Sequence, residues 1–155
     1  MNDTDSKATQ SSSTFELRCA VRRTIRATPA TVWTLLTDAE RFPRWNSTVS
    51  KLEGRIALGE TLAIQTPAAP GRTFKPKVTK LEPGASMEWS DGFAPMFRGV
   101  RTFEVREVEP GVTEFAMEEV FSGVMLPMIR RSLPDFAPIF EAYAEDLARA
   151  AESAP

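Results

Sequence analysis

Apolar and polar residues alternate along the first half-buried stretch of the chain. Every second residue from Phe15 to Val21 is apolar, and the same face continues through Arg23 to Ile25. A period of two residues predicts a β-strand with one buried face. Residues 1–13 precede this strand, are rich in Ser, Thr, Asp and Gln, and contain almost nothing to bury. That composition predicts a disordered N-terminal tail.

A helical pattern follows the first strand. Thr28 is a candidate N-cap, and Pro29 suits the first helical position, where its missing N–H is not needed. The apolar stripe of this helix consists of Val32, Trp33, Leu35 and Leu36. A second short helical turn is predicted from Ala39 to Phe42, ending at Pro43.

Short strand-like runs separated by turn residues fill the chain from residue 46 to residue 123. The pairs Pro83-Gly84 and Pro110-Gly111 favour tight turns between adjacent antiparallel strands. Pro76 lies inside one such run and indicates a bulge or an edge position. We expect about six strands in this region.

The C-terminal segment predicts one long amphipathic helix. Asp135 can cap it, Pro138 is tolerated in its first turn, and the helix is expected to end at about Glu152. Its apolar face carries Ile139, Phe140, Tyr143, Leu147 and Ala150. The apolar sheet face and this helix stripe must bury each other, which predicts an α+β fold with a curved antiparallel sheet of about seven strands around the helix. Such a curved sheet can leave a cavity beneath the helix.

Composition narrows the possible functions. The 155 residues suit one domain, and the formal net charge of −2 with interspersed signs leaves no basic stripe for nucleic acid and no polybasic membrane patch. No run approaches the roughly 18 apolar residues that mark a membrane span, and the N-terminus lacks the apolar core of a signal peptide. We therefore expect a soluble, cytoplasmic protein without stable membrane insertion.

The chain contains no histidine and one cysteine, Cys19. This excludes an intramolecular disulfide, thiolate metal clusters, His-containing metal sites and His-activated nucleophiles. Any catalysis has to use carboxylates, Arg, Lys or Tyr. No cofactor, metal site or catalytic residue is indicated.

One charged residue interrupts an apolar strand face. In "GVRTFEVREV", Arg101 shares its face with Phe103 and Val105. If the following hairpin turns around Pro110, facing residue numbers sum to 220, so that Phe103 lies opposite Met117 and Arg101 lies opposite Glu119.

Two interpretations of the charged pair stay open. Arg101 and Glu119 either only neutralise each other near an open end of the sheet, or they orient the carboxylate, phenol or carbonyl of a ligand. The guanidinium favours the ionised carboxylate and makes it a weak proton acceptor, which argues against Glu119 as a general base.

The order of elements and several motifs resemble a known superfamily. The motifs are the stretch "ATPATVWTLLTDAERFPRWNSTV", with Ala27-x-Pro29 leading to Val32-Trp33 and the turn from Asp38 to Trp45, then "VFSGVML" and "FEAYAEDLARAAE". Together they resemble the START-like or Bet v 1-like superfamily, also called SRPBCC or polyketide cyclase/dehydrase-like proteins, over residues 14–152. The resemblance implies a helix-grip fold with an apolar pocket beneath the C-terminal helix. It carries over no catalytic residue, because the superfamily includes carriers, cyclases and chaperones.

Large apolar residues on the inward faces, with the charged pair, are the candidate ligand contacts. They are Trp33, Trp45, Trp89, Phe97, Arg101, Phe103, Phe115, Met117, Glu119, Phe121, Phe140 and Tyr143. The alternative is that these residues only form the core. Trp45 is the preferred contact among the tryptophans, because the resemblance places it near the pocket mouth. The hydroxyl of Tyr143, if buried, needs a partner, which a ligand oxygen can supply.

Three functional hypotheses follow. The first is binding or transport of a hydrophobic small molecule of lipid, polyketide or isoprenoid type. The alternative is a polyketide cyclase/dehydratase-like enzyme in which Arg101 polarises a carbonyl and Tyr143 or Glu119 shuttles protons. The third is a protein-interaction or chaperone-like role through an exposed apolar patch around residues 92–97, a segment that can equally be a gating loop or a simple turn. The identity of a protein partner does not follow from the sequence.

Overall fold

A computed structural model of the chain describes residues 5–154. Its main sheet is antiparallel, has the strand order β1-β2-β8-β7-β6-β5, and curves around the C-terminal helix; β3 and β4 pair separately as a small second sheet. The strands are β1 Thr9–Ser13, β2 Glu16–Ile25, β3 Lys51–Glu53, β4 Ala63–Gln65, β5 Lys77–Glu82, β6 Ser86–Phe93, β7 Phe97–Glu109 and β8 Val112–Ser122. The α+β architecture is as predicted, but the main sheet has six strands rather than about seven.

Two helices lie between β2 and β3. The first is α1, Pro29–Thr37, which begins where the Thr28 hydroxyl accepts a hydrogen bond from the Thr31 backbone N–H, as predicted. After a 3-10 turn, α2 spans Phe42–Trp45. The prediction that the second helical turn ends at Pro43 is wrong, because Pro43 lies in the first turn of α2, where its missing N–H costs no hydrogen bond.

The N-terminal segment differs from the predicted disordered tail. Strand β1 pairs with β2 along its whole length, and the Ala8 N–H donates to the carboxylate of Glu141 on the C-terminal helix. All five residues of β1 are exposed, so backbone pairing and polar contacts hold the strand. The pattern of hydrophobic residues therefore did not predict β1. Residues 1–4 lie outside the described residues.

The hairpin of β7 and β8 sets the register of the inward face. It turns at Pro110-Gly111, places Phe103 opposite Met117 and places Arg101 opposite Glu119, which confirms the predicted pairing. The other predicted Pro-Gly turn lies between β5 and β6. Strand β5, which begins directly after Pro76, is an edge strand of the main sheet.

After β8, the short helix α3, Leu126–Ile129, and a 3-10 turn lead to α4, Phe136–Glu152. The carboxylate of Asp135 caps α4 by accepting from the Ala137 N–H, and both ends of the helix agree with the prediction. The buried stripe of α4 consists of Phe140, Tyr143, Ala144, Leu147, Ala148 and Ala151. Burying each large apolar side chain of this stripe stabilises the fold by about 1.5–3 kcal/mol.

Within residues 5–154, no helix has the length and apolar character that crossing a membrane requires.

Candidate functional site

An aromatic cluster fills the space between the sheet and α4. Its members are Phe42, Trp45, Trp89, Phe103, Phe115 and Tyr143. The Tyr143 ring is central: its centroid lies 5.8 Å from that of Trp45 and 6.1 Å from that of Phe115, and it also pairs with Phe42 and Phe103. One helical residue thus joins side chains from α2 and from two strands of the sheet.

Helix α2 supplies two rings of the aromatic cluster. Phe42 and Trp45 lie three positions apart, which places them on one side of a helical turn, and their centroids are 4.8 Å apart. Phe42 was not among the predicted site residues. Its spacing from Trp45 was the available signal, and the expected helix end at Pro43 hid it.

The cluster contains buried donors without partners. The indole N–H groups of Trp45 and Trp89 and the hydroxyl of Tyr143 have no hydrogen-bond partner within the described residues. The same holds for the side-chain N–H₂ of Asn46, whose carbonyl oxygen accepts from the Thr48 N–H and hydroxyl. Unsatisfied buried polar groups are rare in folded proteins and call for an explanation.

Burial raises the pKa of the Tyr143 hydroxyl well above its ordinary value of 10.0, and the nearby Arg101 charge opposes this only in part. The phenol is therefore neutral at physiological pH. It can donate a hydrogen bond, but its raised pKa makes it a weak acid.

The Arg101–Glu119 pair lies at the border of the cluster. The Arg101 Nε–H donates to Glu119 Oε1 at 2.6 Å, and the side chains are 22% and 14% exposed. The guanidinium carbon also lies 5.1 Å from the ring centroid of Phe140, a cation–π contact. In the sheet register Arg101 faces Trp89 on its other side, so the charge pair directly adjoins one of the unpartnered indoles.

A second aromatic group continues toward the N-terminal end of α4. The rings of Phe97 and Phe121 stack at 5.9 Å, Phe121 stacks on Phe136 at 4.9 Å, and Phe136 contacts Phe140 edge-on. Phe136 was missed by sequence reasoning, because the predicted helix face began at Ile139. Its position directly after the Asp135 cap was the available signal.

The structure thus gathers most of the predicted contacts on one inward surface. Met117 lies among them, opposite Phe103 and 1% exposed. Trp33 is the exception: it is half-buried on α1 and packs against the core, but it belongs to neither aromatic group.

The interior beneath α4 is closed by these side chains. Phe103, Phe115 and Phe140 have no exposed surface, and Tyr143 is 1% exposed. Two concave regions of the described surface, of about 650 and 300 Å³, are lined by other residues: one lies between the end of α1 and β3, the other along β1 and β2. A pocket at the predicted contacts therefore requires side chains or α4 to move.

Exposed apolar side chains gather at one end of the molecule, which we call the apolar end. Five of the seven large apolar residues that are exposed among residues 5–154 lie there, in loops, at the end of β6 and in α3: Phe15, Phe93, Met96, Val124 and Met128. Backbone hydrogen bonds from Gly123 to Phe15 and from Val124 to Pro95 hold these loops together. The predicted exposed segment 92–97 is thus part of a larger surface.

Comparisons with known proteins agree with this architecture. The model of a family described as polyketide cyclase/dehydrase and lipid transport matches residues 16–152. A search of curated proteins found no match.

Solved structures share the fold at low sequence identity. A truncated norcoclaurine synthase from Thalictrum flavum is 15% identical, with a TM-score of 0.69 over 94% of this chain and 99% of that one. The same plant's norcoclaurine synthase in complex with dopamine and hydroxybenzaldehyde is 13% identical, with a TM-score of 0.64 over 96% and 91%. A protein from Mesorhizobium loti is 23% identical, with a TM-score of 0.67 over 86% and 95%. These similarities establish the fold, as the resemblance in sequence implied.

Proposed function

The chain belongs to the polyketide cyclase/dehydrase and lipid transport family, and on that premise we propose that it binds a hydrophobic small molecule between its sheet and α4. A lipid, polyketide or isoprenoid type of ligand suits the apolar and aromatic surroundings. The observation that carries the proposal is the aromatic cluster with unpartnered polar atoms at its centre.

Packing alone does not account for these polar atoms. A buried donor without a partner costs about 1–3 kcal/mol, and a phenylalanine at position 143 would supply the same ring contacts without a hydroxyl. A ligand oxygen would give the buried donors their missing partner. The norcoclaurine synthase complex supports the idea, because a protein of the same fold holds two small aromatic molecules, dopamine and hydroxybenzaldehyde.

The test is a binding experiment that separates the interior from the surface. Native mass spectrometry of the purified protein and a panel of fluorescent fatty-acid and polyaromatic probes are expected to show one ligand per chain. Phe103→Leu changes a ring of the cluster and should alter probe affinity several-fold. Phe93→Ser, at the apolar end, is the control and should leave affinity unchanged, because Phe93 is 70% exposed.

Two results would contradict the proposal. One is the absence of any bound or competing apolar ligand. The other is probe binding that disappears with Phe93→Ser and is indifferent to Phe103→Leu, because the probes would then be adsorbed at the apolar end.

The position of Arg101 beside Trp89 favours a second candidate function, a cyclase/dehydratase-like activity. In that role Arg101 polarises a substrate carbonyl, and Tyr143 or Glu119 shuttles protons. The variant Arg101→Met separates the two functions. It should abolish turnover of a polyketide-type substrate if the protein is an enzyme, but only weaken binding if it is a carrier.

A further inference from the structure

We infer that the ligand of this site presents a neutral oxygen acceptor, a ketone, quinone or ester carbonyl, to the buried donors of the aromatic cluster. The inference rests on the proposed function and specifies the chemical class that the site selects.

The unpartnered groups of the cluster are hydrogen-bond donors. An indole N–H only donates, and a phenol hydroxyl donates at least as readily as it accepts. Trp45, Trp89 and Tyr143 therefore leave an excess of hydrogen-bond donors in the interior. The group that complements such an excess is an acceptor.

The three donors belong to one connected set of rings. Trp45 contacts Tyr143 directly, with centroids 5.8 Å apart. Trp89 reaches the same tyrosine through Phe103, with centroid distances of 4.8 and 6.3 Å. The three donors thus come from α2, β6 and α4, and the inferred ligand lies among their rings.

The charges beside the cluster favour a neutral ligand over an anion. The Arg101 guanidinium, which adjoins the cluster, is already paired with Glu119 at 2.6 Å. A carboxylate on the ligand would lose its hydration without gaining a free cation, which is costly in an apolar interior. A carbonyl loses much less on transfer, so a neutral acceptor is favoured over an anion.

The donor character of the cluster also distinguishes a ligand carbonyl from a ligand hydroxyl. A ligand hydroxyl also needs an acceptor for its own proton, but the unpartnered indole N–H groups of Trp45 and Trp89 can only donate. A carbonyl oxygen accepts hydrogen bonds and has no proton of its own to place. This favours a carbonyl over a hydroxyl.

The experiment uses three probes of nearly the same shape: fluorene, fluorenone, which adds one carbonyl, and fluorene carboxylate. Their affinities for the full chain are measured by competition against a fluorescent probe. Fluorenone should bind about tenfold more tightly than fluorene, the effect of roughly one recovered hydrogen bond, and fluorene carboxylate should bind most weakly.

Matched variants connect the preference to the donors. Tyr143→Phe keeps the ring and removes the hydroxyl, and Trp89→Phe removes an indole N–H. Each should reduce the preference for fluorenone several-fold while changing fluorene binding less. The urea midpoint of Tyr143→Phe should be unchanged or higher, because the variant removes an unpartnered donor; a clearly lower midpoint would show that the hydroxyl already has a partner and would overturn the inference.

The relative affinities of the three probes can also contradict the inference. Equal affinity for fluorene and fluorenone, or tightest binding of the carboxylate, would overturn this inference and leave the proposed function standing. If none of the three probes binds and no probe of the broader panel binds either, both the inference and the proposed function are wrong.

Discussion

At the scale of single residues, Arg101 lies on an apolar strand face because its neighbours accommodate it. Glu119 accepts its Nε–H, and the Phe140 ring lies under its guanidinium. Both partners come from other elements, one across the hairpin and one from α4. Arg101 is therefore accommodated on the apolar face by its contacts with Glu119 and Phe140. Variants that remove one or both charges of the pair test this interpretation.

Replacing Arg101 with methionine should lower the free energy of unfolding by about 1–3 kcal/mol, because Glu119 is left partly buried without its cation. Replacing Glu119 with methionine as well should restore much of this loss, since no uncompensated charge remains. Urea unfolding of the wild type, both single variants and the double variant measures the coupling. A double variant that loses the sum of the two single effects would show that the pair is not coupled.

Tyr143 predicts how stability responds to alkaline pH. Burial raises the pKa of its hydroxyl above the ordinary 10.0, so the unfolded chain releases the phenol proton before the folded chain does. High pH therefore favours the unfolded state, and this contribution to stability is present below pH 10.0 and lost as pH rises further.

The chain has a single tyrosine, so the tyrosinate absorbance reports Tyr143 alone. It should appear together with the loss of the folded circular dichroism spectrum, and Tyr143→Phe should weaken the alkaline loss of stability. An ordinary titration midpoint in protein that remains folded would contradict the buried hydroxyl.

At the scale of elements, the connection from β8 to α3 depends on Gly123. Its φ is +133°, and a side chain there would collide with the Met96 carbonyl oxygen and lie 2.9 Å from the Phe97 Cα. The close approach holds the β8 end against the start of β7. This contact is between distant parts of the chain, so only the tertiary structure shows it.

Gly123→Ala should therefore destabilise the protein by more than the roughly 1–2 kcal/mol that a positive φ alone costs. Gly111→Ala is the matched control, because its φ is +76° and no atom lies within 4 Å of the added methyl group. Thermal or urea unfolding of both variants gives the comparison. Equal losses would mean that the β8–α3 connection relaxes freely.

At the scale of the whole molecule, the closed interior predicts the kinetics of the proposed ligand binding. Tyr143 and Phe103 are at most 1% exposed, so a ligand can enter only after the protein opens. The observed binding rate should level off at high ligand concentration, at the rate of opening. Stopped-flow tryptophan fluorescence measures it; a rate that rises linearly without limit would indicate a site that is already open.

The structure agrees with the sequence-based predictions where the determinants are local. The alternation in β2, β7 and β8, the caps at Thr28 and Asp135, and the Pro-Gly hairpin turn depend on neighbouring residues. Because a one-residue slip would turn the apolar face to solvent, the same patterning also determined that Arg101 faces Glu119.

The sequence pattern did not predict elements whose structure depends on contacts between distant parts of the chain. Strand β1 has no apolar face, and its pairing with β2 and the contact of Ala8 with Glu141 exist only in the folded chain. The sequence predicts a helix end at Pro43, whereas this proline lies in the first turn of α2. The composition of the tail and the proline were each compatible with two structures.

The sequence by itself determined the fold family, the register of the central hairpin and most of the inward-facing residues, but it did not predict β1 or α3. The periodicity of apolar residues and the choice of turn residues depend only on residues that are close in the sequence. Only the tertiary structure decided that Tyr143 lies among rings from α2 and the sheet, and that Trp45 and Trp89 leave their N–H groups without partners. Whether a buried polar atom finds a partner depends on the packing of side chains from separate elements, and no local pattern encodes that packing.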